Sequence, residues 1–402
     1  MAQATARPAA SVDRTKSAAR PRHSGRPFLG LIDAVIVESP VDFVFDGAIA
    51  SDDAWAVWLW LVRDVAPDLI DIEATGDDPR NLQALESLMP ELLGRARKAL
   101  ADAETSVELG RRIKTQLGGE EASERLPIVL NALRCRGLLE KAQGFGRAAN
   151  GMADEAALAL ALQAMPLQDQ ALAALLMQAT VGHMATPARM ITAAIRISGS
   201  ATEGALMRSG FGTMVDAMLA HAQDQIPKLA QIGTFGDIDL VCRAVDRFHR
   251  LVRAVNGYVE LSRNGRWAVI SAGLTKAVSE RLDPKLRDVA PDLNKALRRR
   301  EGTDRLDGDQ LLSALNGMYL LATVRDCRDS LALNAVFDQV WSQTGQALEI
   351  HIERLLQQLK QNPADAIASA RLDAALKMAE VRFNQEYADV LRRAKDAVER
   401  RG

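Results

Sequence analysis

The most constraining feature of this chain is the spacing of its apolar residues in the last third. Leu333, Val336, Val340, Leu348, Ile352, Leu355 and Leu359 recur mostly at intervals of three and four, as do Leu372, Leu376, Ala379, Phe383, Tyr387, Val390, Ala394 and Ala397. That period places each set on one face of an α-helix and offers nothing to a strand, whose period is two. Asn362-Pro363 separates the two runs as a turn. The expectation is a long αα-hairpin over 329–400, with arms of roughly 45 Å at 1.5 Å per residue. Composition extends the argument to the whole chain, because Ala and Leu supply 117 of 402 residues and only 17 are aromatic. Ala and Leu are the strongest helix formers, and scarce aromatics work against a large sheet. The expected fold class is all-α, a multi-helix antiparallel stack of HEAT-like α-solenoid or helical-bundle type.

Helix punctuation supports this through the middle of the chain. Ser51-Asp52-Asp53 supplies an N-cap to a segment holding Trp55, Trp58 and Trp60, which is apolar nearly all round and expected to anchor the N-terminal core. Asp78-Pro79 opens another helix, Gly118-Gly119 closes one, and Arg125 to Phe145 reads as a single helix. Leu158, Leu162 and Met165 repeat helically, then Leu172, Leu175, Leu176 and Ala179, then Ile191 and Ile195 after Pro187. Over 154–196 this has the general look of HEAT-type helices. Only 28–50 has β texture, with Val35-Ile36-Val37 and Phe43-Val44-Phe45 flanking Pro40, so at most a minor β-hairpin is expected near 34–46. The expected domains are a disordered basic tail over 1–27, stacked antiparallel helices over 28–236, and a helical bundle over 237–402.

Charge is balanced, 50 basic against 52 acidic residues, and gives no whole-protein reason to expect a polyanion as partner. Cys135, Cys242 and Cys327 are odd in number and widely spaced, unlike a secreted disulfide framework. The longest apolar run, Ala54 to Val62, is far short of the ~20 residues of a membrane span. Residues 1–27 carry six basic side chains against Asp13 and lack the apolar core of a secretory signal. The expected setting is the cytoplasm, and the Ala and Arg excess suits a GC-rich bacterial genome.

One repeat stands out. The heptapeptide RDVAPDL occurs at 63–69 and again at 287–293, placing Asp64 with Asp68 and Asp288 with Asp292 in a DxxxD spacing. Paired DxxxD motifs on facing helices resemble the magnesium-diphosphate sites of squalene- and phytoene-synthase-like enzymes. An unbroken helix is needed to bring carboxylates four residues apart onto one face. Pro67 and Pro291 precede the second aspartate of each pair and push the preceding residue out of the helical region. Both copies therefore read as one helix ending and the next beginning, with Met89-Pro90 as a weaker instance.

Other constellations are sparse. Cys242, Asp246 and His249 share a helix face and are the nearest approach to a metal cluster, but four arginines crowd the same run. No HExxH, phosphate-loop or nucleophile-elbow motif occurs. Arg298, Arg299 and Arg300 form a basic run that offers an interaction surface. No cofactor is expected. The leading expectation is a non-enzymatic scaffold or adaptor that holds another protein, with self-association through the C-terminal hairpin as one mode. The alternatives are a nucleic-acid-associated protein using the basic tail and Arg298–Arg300, and an all-α magnesium enzyme using Asp64, Asp68, Asp288 and Asp292.

Overall fold

The computed structural model describes residues 27–70, 79–231, 233–299 and 305–400. These form seventeen α-helices and one two-stranded sheet, so the all-α class holds. The expected basic tail lies outside the described residues, apart from position 27. Two compact units emerge, one made of 27–33 with 55–123, the other of 34–54 with 124–400. The stretch 237–400 lies in the same unit as 124–236.

The first unit is built from α1 (Pro27–Gly30), the end of α2 (Ser51–Trp60), α3 (Pro79–Thr105) and α4 (Val107–Gln116). Trp58 and Trp60 are both buried, and Trp58 stacks on Phe28 with ring centroids 4.5 Å apart. Leu85, Met89, Leu92 and Ala96 bury one stripe of α3, and Pro90 sits inside that helix rather than starting a new one. Beyond α2 the chain makes a π-helical turn over Leu61–Val65, closed by the Ala66 N–H donating to the Leu61 carbonyl at 2.9 Å. Ala66 then leaves the helical region (φ −144°, ψ 55°), as a residue before proline should.

After α5 (Glu120–Arg134), the helix expected over 125–145 breaks at Cys135 and resumes as α6 (Arg136–Ala149). From there the second unit winds as two layers. Its helices are α7 (Glu155–Gln163), α8 (Gln170–Val181), α9 (Pro187–Ser198), the short α10 (Glu203–Arg208), α11 (Gly212–Gln223), α12 (Ile238–Tyr258), α13 (Arg266–Leu297), α14 (Gly308–Cys327), α15 (Asn334–Gln361), α16 (Ala366–Arg382) and α17 (Gln385–Glu399). Successive packing runs α6 to α8, α11, α13, α15 and α17 in one layer, and α7 to α9, α12, α14 and α16 in the other. Partner residues fix the directions. Asn294 of α13 meets His351 of α15 and Ser279 meets Ala332 just before it, so neighbours within a layer run parallel. Asp292 meets Ser313 while Val289 faces Gly317, so α13 and α14, in opposite layers, run antiparallel. This alternation is the arrangement of an α-solenoid.

The predicted second arm of the C-terminal hairpin is two helices. Phe383 leaves the helical region and Asn384 caps α17, its side chain accepting from the Tyr387 N–H at 2.8 Å. The β texture resolves as β1 (Ile36–Val37) paired with β2 (Ile49–Ala50) in parallel, so the expected hairpin is corrected. A parallel pair needs a crossover, and 38–48 provides it as an irregular strap. Gln223 clamps the strap by donating to the Pro40 carbonyl and accepting from the Asp42 N–H. Arg266 donates to the Val44 carbonyl and to Asp216, whose carboxylate also receives the Trp267 indole N–H at 2.8 Å.

α8 is the interior of this unit, with every residue from Ala173 to Val181 buried. It approaches α6 closely enough that a Cβ built on Gly146 would lie 2.3 Å from the Thr180 carbonyl oxygen. Gly144, on the same helix, has open space around it. Gly146→Ala is therefore expected to lower stability by about 1–3 kcal/mol through overpacking. Gly144→Ala should instead raise it by about 0.5–1 kcal/mol through helix propensity. Urea unfolding of both variants checks the opposite signs.

The buried His351 donates through Nε2 to the Asn294 carbonyl oxygen at 3.0 Å, since the Asn294 amide nitrogen is already committed to the Ala290 carbonyl. Burial, then the nearby Arg354 and Arg371 guanidinium groups, hold its pKa below the ordinary histidine value. The unfolded chain thus binds the extra proton first as pH falls, so the contribution is complete above about 6.5 and lost on acidification below that. Thermal unfolding should show a midpoint falling between pH 7 and 5, with a shallower fall in His351→Gln.

Candidate functional site

The unbroken course of α13 creates the site. Leu282, Leu286, Val289, Leu293 and Leu297 form one buried stripe, and the helix continues through Pro284 and Pro291. The expected break at Pro291 is absent because this packing outweighs the ~3 kcal/mol cost of an interior proline. Asp288 and Asp292 consequently do share a helix face, with Lys285 one turn earlier.

Opposite them stands α14, started by Asp307, whose carboxylate accepts from the Gln310 N–H at 3.2 Å. Its Ser313, Asn316, Gly317 and Leu320 fall on one stripe and face α13. Gly317 allows the approach, since a Cβ there would lie 3.2 Å from a Val289 methyl. Gly233, Thr234 and Ile238 close the end, the last in the first turn of α12 behind the Asp237 N-cap. The result is a cleft of about 120 Å³. Within it Ser313 donates to Asp292 at 3.1 Å, and Asn316 donates to the Thr234 carbonyl at 3.4 Å. Among the described residues Asp288 and Lys285 have neither a hydrogen-bond nor an ion-pair partner.

The rim is apolar. Phe235 follows Thr234 and is 82% exposed, while Leu312 (42%) and Tyr319 (46%) flank Asn316 on α14 at four residues before and three after. The cleft is well below the ~300 Å³ at which pockets begin to hold drug-sized ligands. It suits a side-chain head group. A second, shallower groove of about 380 Å³ runs along α12 and α13, lined by Asn256, Ser271, Ala272 and Thr275 among others. Its only titratable wall residue is Lys276, which pairs with Glu280 at 3.8 Å.

The first heptapeptide copy behaves differently. Asp68 is gripped by both terminal nitrogens of Arg95, which holds its carboxyl below the usual range, and Arg95 also binds Glu91 at 2.9 Å. Asp64 accepts from the Gln116 amide at 2.6 Å. With the chain broken at Ala66, these two carboxylates serve separate structural bonds in the first unit.

The Cys242, Asp246, His249 run lies on α12 as expected, but each member is engaged elsewhere. Burial raises the Cys242 thiol above its ordinary value, with Thr323 opposing the shift. Asp246 is held by Arg250, and His249 Nδ1 meets the Ser330 hydroxyl at 3.0 Å. Among the described residues no group of three or more His, Cys, Asp or Glu is placed to hold a metal ion. Arg298 and Arg299 are exposed at the end of α13, and Arg300 lies outside the described residues. On α17, Arg392 pairs with Glu380 and Asp389, and Lys395 with Asp373 and Glu399.

Sequence reasoning found Asp288 and Asp292 but missed Lys285, Ser313, Asn316 and the rim. The available signal was the leucine stripe 282–297, which continues in register through Pro291. No protein-family model, no curated protein and no solved structure matches this chain.

The described geometry yields a stability test. A Cβ at Gly317 requires Val289 to give by a few tenths of an ångström. That crowding opposes the helix-propensity gain of about 0.5–1 kcal/mol, so Gly317→Ala should stabilise less than Gly144→Ala, and Val289→Ala should cost less in the Gly317→Ala chain than in the parent. A double-mutant cycle in urea reads the coupling.

Proposed function

We propose that the protein is a non-catalytic helical scaffold that holds another protein against the helix faces of its second unit. The observation that carries this reading is the exposure of Phe235, Leu312 and Tyr319, each next in chain or helix register to a residue lining a cleft small enough for a side chain. Large apolar side chains grouped at a surface and bordered by polar groups are the usual mark of a protein contact. Two stacked layers of helices also suit the role, because stacked helices present extended surfaces.

Affinity capture with the full chain tests the reading. The expected result is a co-purifying protein at near-equal stoichiometry that survives about 0.15 M salt, where exposed long-range charge attraction is largely screened. Replacing Phe235 and Tyr319 together by Ala should remove it, with circular dichroism unchanged. Retention of the same partner by that double variant, or turnover of a metabolite by the purified chain without any stoichiometric partner, would overturn the proposal.

A further inference from the structure

The scaffold reading leaves open what the cleft between α13 and α14 recognises, and its chemistry is specific enough to say. We infer that this cleft is the receptor for an arginine side chain presented by an apolar stretch of a partner polypeptide. The inference rests on the scaffold reading for the partner's being a protein, and on the cleft itself for the arginine.

Three observations converge. Asp288 and Asp292 project from successive turns of one helix, and Asp288 has no partner among the described residues. Asp292 is half-buried and accepts from Ser313 through one oxygen, which leaves the other for a second donor. Among the other lining residues, Val289, Leu320 and Ile238 are apolar and offer surface to an alkyl stem. Two carboxylates one helical turn apart match a guanidinium, with five donors in a plane, better than the compact ammonium of lysine. The exposed Phe235, Leu312 and Tyr319 then supply the contact for the apolar residues on either side of the arginine.

Lys285 sharpens the inference. Its ammonium lies on the same wall and opposes an incoming cation. Removing it should strengthen binding, whereas removing either carboxylate should weaken it.

The test uses the full chain and fluorescently labelled twelve-residue peptides carrying one central Arg between leucines in a Ser/Ala background. Matched peptides replace the Arg by citrulline, its uncharged isostere, or by Lys. Fluorescence anisotropy should show the arginine peptide binding at least about fivefold more tightly than the citrulline one, with lysine between them. Asp292→Asn should reduce that preference by about fivefold and Asp288→Asn by about threefold, and Lys285→Met should increase it by about twofold. Asp396→Asn, on the exposed side of α17, should change nothing. Equal binding of the arginine and citrulline peptides, no binding of either, or an unchanged preference in both cleft variants would overturn the inference. A failure here with a captured partner intact would remove only the arginine receptor. Loss of the captured partner is read in the separate experiment on Phe235 and Tyr319.

Discussion

The second unit depends on how closely its helices approach one another. Where α6 meets α8, the absence of a side chain at Gly146 lets the Thr180 carbonyl sit where a methyl would otherwise be. At α13 and α14 the same device appears as Gly317 beneath Val289, and in the strap as Gly47 against the backbone of Ala174. The many alanines of the core continue the theme, since Ala173, Ala174, Ala193, Ala194, Ala217, Ala220 and Ala222 are all buried in and around α8. Small residues bring backbones together without side-chain entropy loss, and dense packing then supplies dispersion energy in place of large aromatic burial. The two-layer winding, and hence the cleft, follows from those short interhelical distances.

One sequence folds in two ways here. RDVAPDL ends a helix at 63–69 and runs through the middle of one at 287–293. Local preference is the same in both copies, because the residue before proline is equally disfavoured in the helix each time. In α13 an uninterrupted leucine stripe packs against α14 and α15, and the tertiary gain overrides the local cost. At the first copy Asp68 is instead taken by Arg95, and the helix stops. The DxxxD spacing therefore produces a shared carboxylate face in one place only. It is a case of context choosing between structures that a short motif leaves equally available.

What was legible in the sequence follows the same division. Helix starts marked by a proline in the first turn or by a capping side chain were readable, as at Pro187 and Asp237, because those signals are local and act within one turn. So was the anchoring role of Trp58, since a segment apolar on all sides has to be enclosed. Breaks without proline or glycine punctuation were not legible. Cys135 divides α5 from α6, and Phe383-Asn384 divides α16 from α17, although the apolar spacing continues across the second. The parallel pairing of Ile36 with Ile49 was equally hidden, because it is set by packing of the strap on distant helices. For the site, the aspartates were visible as a repeat, whereas Ser313 and Asn316 enter only through the register of α13 against α14.

The layer order has a mechanical consequence. Each long helix of the second unit packs on its predecessor and successor in its own layer and on its neighbours in the other. Free energy in such an array accumulates from one interface to the next instead of residing in a single central core. One interface can therefore slacken while distant ones stay closed, as in any structure whose cooperativity is short-ranged. A ligand that touches several consecutive helices would act as a splint, joining interfaces that are otherwise coupled only through the chain between them. Stiffness in this protein is thus something a bound surface can add, turn by turn, along the direction of stacking.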